Sequence, residues 1–186
     1  MSHPFLRNYR ALDLPDGHPP VLMVVIDTEE EFDWHLPFDR KNTSVESMRH
    51  VEKAQEVFDE FGIRPTYVVD HPVASQETGY SLLREFVSSG RATIGAHLHP
   101  WVSPPHEEGV NSFNSYPGNL SARLEEEKIA RLTEQITRTF GARPTIYKAG
   151  RYGFGPNTGE ILSKLGYEID LSGFAGFDLS EDGGPD

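Results

Sequence analysis

A repeated junction between helices and strands is the feature that most limits the folds open to this chain. Residues 61–66 and 140–145 share the pattern FGxRPT, in which a glycine ends a helix and the following proline and threonine open a strand. Repeated helix–glycine–strand junctions are typical of βα units, and successive βα units form a parallel sheet with helices packed on it. The junctions therefore predict an α/β fold.

The rest of the apolar pattern agrees with this prediction. The valine-rich run at residues 21–26 predicts a strand buried on both faces, and the helical spacing of Val45, Met48, Val51, Phe58 and Phe61 predicts a helix over residues 45–61. In total we expect strands at 21–26, 65–69, 92–98, 145–148 and 167–171, and helices at 45–61, 80–89, from the Ser121 cap to Phe140, and 156–165. Such an alternation is compatible with an open sheet or a barrel. No GxGxxG motif follows the first strand, so the fingerprint of a dinucleotide fold is missing.

Composition excludes several classes of function. The 186 residues suffice for one domain, which we place at residues 21–186 behind an irregular N-terminal arm at residues 1–20. A net charge of −12 argues against nucleic acid and anionic membrane surfaces as partners. The chain has no cysteine, so disulfides and thiolate chemistry are excluded. With neither a signal peptide nor a membrane span in the sequence, a cytoplasmic enzyme is the simplest interpretation.

Two polar clusters follow predicted strands. Asp27 and Glu29 are two residues apart, so in an extended segment both side chains point the same way, and two adjacent carboxylates need a cation or a shared proton. His97 and His99 have the same spacing at the end of the third strand, a pattern typical of zinc ligands. We predict that these groups hold one metal ion; a solvated acidic loop and a core histidine are the structural alternatives.

His106 is either a third histidine ligand or a solvated loop residue. The remaining acids of the first cluster are interpreted as solvent-facing: Glu30, Glu31 and Asp33.

Two weaker clusters follow the fourth and fifth strands. Arg151 lies among glycines that allow a close backbone approach to a ligand, and an arginine there can hold a carboxylate in place. Asp170 ends the fifth strand. Because α/β barrels carry their chemistry at the C-terminal ends of the strands, all these clusters are candidates for one site. Alternatively, Arg151 is a surface residue in front of a helix that Asn157 caps.

The order of acid, histidine, arginine and aspartate motifs resembles the polysaccharide deacetylases with a NodB homology domain, carbohydrate esterase family four. The similarity covers about residues 21–172 and is greatest to the branch with an IGAHLHPW-like second motif. It implies a partial or distorted (β/α) barrel and a metal-dependent hydrolase that removes N-acetyl or O-acetyl groups from a carbohydrate or a related amide. By this resemblance Asp27 is the general base and Arg151 orients it. Glu29, His97 and His99 hold a divalent metal ion, zinc by ligand type, and Asp170 matches the fourth motif.

The chain departs from the family pattern in three places. The second motif usually reads HxxxH, but Trp101 stands at the fourth position after His97, and the third motif reads Arg151-Tyr152-Gly153 in place of RxP. No histidine follows His106, so the general acid of the fifth motif has no counterpart. Since a full barrel usually needs about 250 residues, we expect the chain to be incomplete at its C-terminus.

The carbohydrate substrate implied by the resemblance needs surfaces for sugar rings. Trp34, Trp101 and Tyr152 are the candidates for stacking on sugar rings, with core packing as the alternative role.

Two other functions stay open at this point. One is a non-catalytic module that binds metal or sugar, which the missing general acid favours. The other is a non-haem iron oxygenase, which also uses two histidines and a carboxylate but is usually built on antiparallel β folds.

Overall fold

Five parallel strands form a single sheet in the order β1-β2-β3-β4-β5. The computed structural model describes residues 13–173 and 176–185. The strands are β1 Val25–Thr28, β2 Thr66–Val69, β3 Thr93–Leu98, β4 Ile146–Ala149 and β5 Ile169–Asp170. The predicted α/β fold with alternating strands and helices is confirmed. Most of the predicted N-terminal arm, residues 1–12, lies outside the described residues.

The connections between the strands are mainly helical. The α-helices are α1 Glu52–Glu60, α2 His71–Ser75, α3 Glu77–Ser88, α4 Ala122–Phe140 and α5 Thr158–Lys164. Short 3-10 turns lie at Glu46–His50, Pro100–Val102, Phe113–Ser115, Pro117–Asn119, Gly150–Tyr152 and Ser180–Asp182. Ser121 caps α4 by accepting a hydrogen bond from the backbone N–H of Leu124, and Gly141 ends the helix in the left-handed conformation with a φ of 79°. Among the described residues, no helix has the length and apolar character needed to cross a bilayer.

One face of the sheet packs against the helices and forms the apolar core. This face presents Tyr67, Val69, Ala96, Leu98, Tyr147 and Ala149, all fully buried. They pack with apolar residues of α3 and α4: Leu83, Phe86, Ile129, Leu132 and Ile136. Because side chains alternate along a strand, the intervening residues of β1, β3 and β4 point to the opposite face. That alternation decides which polar residues can meet.

Two element predictions are wrong in detail. The first strand does not cover residues 21–26: Leu22 is 73% exposed and Met23 is 79% exposed, and the strand begins at Val25. The reason is that β1 lies at the edge of the sheet formed by residues 13–173 and 176–185, so within these residues only β2 pairs with it. The helix expected over residues 45–61 is divided into a 3-10 turn and α1. Phe61, expected to face inward, is exposed because it lies just past the end of α1.

Candidate metal and catalytic site

The strand register places three polar side chains on the face of the sheet opposite the helices. Asp27 of β1 is aligned with Val68 of β2, which is aligned with Gly95 of β3. His97 follows Gly95 by two residues, so it points to the same face, and it is aligned with Lys148 of β4. All three polar residues lie towards the C-terminal ends of their strands.

One carboxylate and two imidazoles converge directly beyond these strand ends. The Glu29 Oε2 atom lies 3.2 Å from Nε2 of His97 and 3.4 Å from Nε2 of His99. Both histidines are buried, and Glu29 is partly buried. Burial alone would raise the pKa of Glu29, but a hydrogen bond from His97 and the charges of His99, His97 and Lys148 leave it lowered. The ligands predicted from the sequence, Glu29, His97 and His99, are therefore brought together.

The donor atoms fit a divalent metal ion. Nδ1 of His97 lies 2.9 Å from the backbone carbonyl oxygen of Lys148, which can only accept, so Nδ1 donates there and Nε2 faces Glu29. Burial lowers the pKa of His99 and so favours its neutral form, which can bind a metal ion. Two ligands of a tetrahedral zinc ion with bonds of 2.0–2.1 Å lie about 3.4 Å apart. The distances from Glu29 to the two imidazoles match that separation.

Two buried acids, not predicted from the sequence, lie behind the imidazole of His99 and support it. Oε2 of Glu30 lies 2.8 Å from Nδ1 of His99, and the Glu30 backbone N–H donates to Asp70 at 2.8 Å. The other oxygen of Asp70 accepts from the N–H of Val73 and caps α2. Burial raises the pKa of Glu30 to about 7, and burial next to Glu30 raises that of Asp70 well above its usual value. The expectation that Glu30 faces solvent is wrong, because its side chain turns inward to His99. Asp70 directly follows β2, so the position after a strand could have indicated it.

Lys148 contacts Asp27 where Arg151 was expected to do so. The Lys148 ammonium group pairs with the Asp27 carboxylate and lies 4.8 Å from the ring centre of Tyr152. Arg151 instead donates to Ser115 Oγ at 2.6 Å and lies 4.0 Å above the ring of Tyr116. Its backbone has a φ of 54°, a conformation rare outside glycine, and the side chain is directed to the loop after β3.

Asp170 also lies away from the acid–histidine group, which consists of Glu29, His97 and His99. It is aligned with Tyr147, whose side chain lies on the helix-packed face, so the register directs Asp170 to the face opposite Asp27 and His97. Its carboxylate accepts a hydrogen bond from Ser172 Oγ at 2.6 Å. The expected convergence of Asp170 with the other motifs is therefore wrong.

The aromatic candidates differ in exposure. Trp101 is 1% exposed and stacks on the ring of His99 with centroids 4.3 Å apart, so packing is its role. Trp34 is 56% exposed and rests on Phe32, which in turn contacts Trp101. Trp34 therefore presents a free aromatic surface next to the site. His106 does not join the metal ligands and lines a separate cleft with His71.

Solved structures supply the comparison for this geometry, since no family model and no curated protein matches the chain. IcaB from Ammonifex degensii is similar with a TM-score of 0.51 and 24% identity, over 80% of this chain and 57% of that one. The chitin deacetylase of the fungal pathogen Colletotrichum lindemuthianum has a TM-score of 0.52 and 14% identity, over 80% and 54%. BA3943 from Bacillus anthracis, a CE4 family pseudoenzyme, has a TM-score of 0.54 and 10% identity, over 83% and 44%.

The chain thus has the fold of the CE4 polysaccharide deacetylases, the NodB-type α/β barrel fold expected from its motifs. It spans about half the length of these three similar structures. Membership of the branch with an HLHPW second motif stays a prediction.

Proposed function

We propose that this chain belongs to a metal-dependent hydrolase that removes N-acetyl or O-acetyl groups from a carbohydrate. The observation that carries the proposal is the convergence of one carboxylate and two Nε2 atoms beside Asp27, at the C-terminal edge of the sheet. Glu29, His97 and His99 would hold the ion, with zinc favoured by the ligand types. The fold shared with a chitin deacetylase supports the proposal, because that protein is named for removing acetyl groups from a sugar polymer.

The chain's own residues divide the catalytic work. The metal ion, when bound, polarises the acetyl carbonyl group and lowers the pKa of water. Asp27 is the general base that takes the proton as water attacks, and Lys148 fixes the direction of its carboxylate. The Nδ1 contacts of His97 and His99 hold both rings so that Nε2 faces the metal position. Trp34 supplies an exposed ring for packing against a sugar face.

Replacing Asp27 tests the proposed base. We expect Asp27→Asn to lower acetate release from acetylated chito-oligosaccharides by about 10²–10⁴-fold, the usual contribution of a general base, because the amide cannot accept the proton. Zinc content should stay at the wild-type value, since Asp27 is not among the proposed ligands. Asp33→Asn, in the loop that follows β1, is the matched control and should keep wild-type turnover. Wild-type deacetylation by the Asp27→Asn protein would show that Asp27 is not the base.

A non-catalytic metal- or sugar-binding module is the second candidate. Among the described residues, His97 and His99 are the only histidines grouped with Glu29, Glu30 and Asp70, so the general acid histidine has no counterpart there. One similar structure is itself a CE4 pseudoenzyme. Bound zinc without acetate release would support this candidate. The oxygenase hypothesis is disfavoured by the parallel sheet, and an assay for oxygen consumption with iron would test it.

A further inference from the structure

A second polar cleft lies apart from the acid–histidine group. It has a volume of about 310 Å³ and opens between the loop before α1, the start of α2 and the loop after β3. Three nitrogen-bearing side chains line it: Arg40, His71 and His106. The remaining lining residues are Thr43, Pro72, Ser75, Gln76, Val102 and Pro104.

At three positions around this cleft, a side-chain nitrogen has no acceptor within the described part of the chain. Nε of Arg40 is buried without a hydrogen-bond partner. The rings of His71 and His106 likewise make no hydrogen bond to the residues that the structure describes. Buried N–H groups are almost always satisfied in folded proteins, so the orphaned Nε of Arg40 indicates that its acceptor comes from a ligand. His71 is partly buried and His106 is exposed, so their rings have N–H donors available for the same ligand.

Arg40 places a positive charge in the cleft, although the whole chain carries a net charge of −12. Burial lowers the pKa of His71, and the nearby His106, Arg138 and Lys128 lower it further. Burial together with Lys128 and Arg40 lowers the pKa of His106, with Glu108 opposing. Both imidazoles are therefore shifted towards the neutral form, so Arg40 is the group whose charge attracts an anion and the two rings offer N–H donors.

Lys128 holds the loop that carries His106 in a fixed shape. Its fully buried ammonium group donates to the backbone carbonyls of Pro100 at 2.9 Å, Ser103 at 2.6 Å and Pro105 at 2.7 Å. It also lies 3.1 Å from the carboxylate of Glu108, whose backbone carbonyl accepts from Arg40. Arg40 and the His106 loop are thereby tied together, so the cleft is formed before any ligand arrives.

We propose that this cleft is an oxyanion-binding site for a carboxylate or phosphate group, formed by Arg40, His71 and His106. The guanidinium and the two imidazole N–H groups donate to the oxygen atoms, which supplies the missing acceptors. The site is independent of the proposed deacetylase activity, because it shares no residue with the acid–histidine group.

Titration with two probes tests this site. Inorganic phosphate and D-glucuronate are added separately to the full chain while the histidine ring signals are followed by NMR. We expect the signals of His71 and His106 to shift and saturate at millimolar concentrations, while that of the exposed His50 stays in place. The probe that binds more tightly identifies the group as a phosphate or a carboxylate.

Variants separate a specific site from general charge effects. Arg40→Met and His106→Ala should each weaken binding by about tenfold or more, as expected for the loss of a charged or buried hydrogen bond. His106→Gln keeps an N–H donor and should restore most of the affinity, and His50→Ala should bind as the wild type. Thermal melting verifies that each variant is folded. Shifts that rise linearly without saturation, or equal binding by folded Arg40→Met and His106→Ala proteins, would overturn the proposal.

Discussion

Lys148 contacts the candidate site twice, through its carbonyl oxygen and through its ammonium group. The carbonyl oxygen accepts from Nδ1 of His97 at 2.9 Å, and the ammonium group pairs with Asp27. The first contact directs a proposed metal ligand and the second directs the proposed base. One residue of β4 therefore positions groups from β1 and β3.

Removing the ammonium group should impair turnover more than metal binding. We expect Lys148→Met to lower kcat by about tenfold to a hundredfold, the scale of a small misplacement of a catalytic group. Zinc affinity should not fall, because a positive charge near Glu29 is lost. Lys148→Arg should recover much of kcat. Both quantities can be measured by acetate release and by competition with a zinc indicator.

A lysine elsewhere provides the control for that experiment. Lys164 forms an exposed ion pair with Glu126 on the helices, so Lys164→Met should leave kcat unchanged. A Lys148→Met protein with wild-type kcat would mean that Asp27 keeps its position without the ion pair.

For single residues, sequence position predicted which side chains converge but not the residues that support them. His97 and His99 are two residues apart at the end of a strand, as are Asp27 and Glu29, and strand geometry alone puts such pairs on one side. The partner of Asp27 depends on the register of β3 and β4 and on the left-handed backbone at Arg151. Neither feature has a signature in the local pattern, so Lys148 was missed.

Helix α4 carries a buried acid that joins it to α5. Glu125 is fully buried and accepts a hydrogen bond from Thr158, whose hydroxyl group also accepts from the backbone N–H of Gly155. This chain of contacts fixes the beginning of α5 and the turn in front of it. Burial raises the pKa of Glu125 to about 7, against the opposing effect of the Thr158 hydrogen bond.

Glu125 should make the stability of the fold depend on pH. In the unfolded chain the carboxyl group loses its proton near its ordinary pKa of 4.5, whereas in the folded chain it keeps the proton up to about 7. The folded state then binds more protons in this window, so the free energy of unfolding falls as pH rises through it, by at most about 3 kcal/mol. Glu125→Gln removes this loss, so its stability relative to the wild type should increase between pH 5 and pH 8.

Urea denaturation at several pH values measures this difference. Glu126→Gln, one residue along on the exposed side of α4, is the control and should follow the wild-type curve. Parallel curves for the wild type and Glu125→Gln would show that Glu125 is already ionised in the folded protein.

Among the elements, periodicity predicted the long helix and the central strands best. The helix that Ser121 caps ends at Phe140 as expected, because its apolar residues recur at helical spacing and Gly141 stops it. The short helix α2 was missed, since five residues are too few for a periodic signal and its cap, Asp70, was not recognised. The apolar run at 21–26 was assigned to a buried strand, but burial depends on the place of β1 at the sheet edge, which composition does not show.

In the whole molecule, folding brings the polar clusters to one edge of the sheet. Glu29 and His97 are far apart in sequence, and only the parallel pairing of β1, β2 and β3 places them 3.2 Å apart. Trp101 stacks on His99 and packs against Phe38 with ring centres 4.6 Å apart, and the neighbouring residues Val102 and Arg40 line the second cleft. Because Glu29, His97 and His99 come together only in the folded chain, a ligand that needs all three binds only the folded state and stabilises it.

Zinc titration of the metal-free protein by calorimetry tests the central claim most directly. We predict that the wild type and the His50→Ala control bind one equivalent of zinc, with a higher melting temperature in the bound state. The His97→Ala, His99→Ala double variant should remain folded, bind no zinc at this site and show no such increase. Zinc binding of wild-type affinity and stoichiometry by the folded double variant would contradict the account, because the two imidazoles and Glu29 would then not be the ligands of one cation.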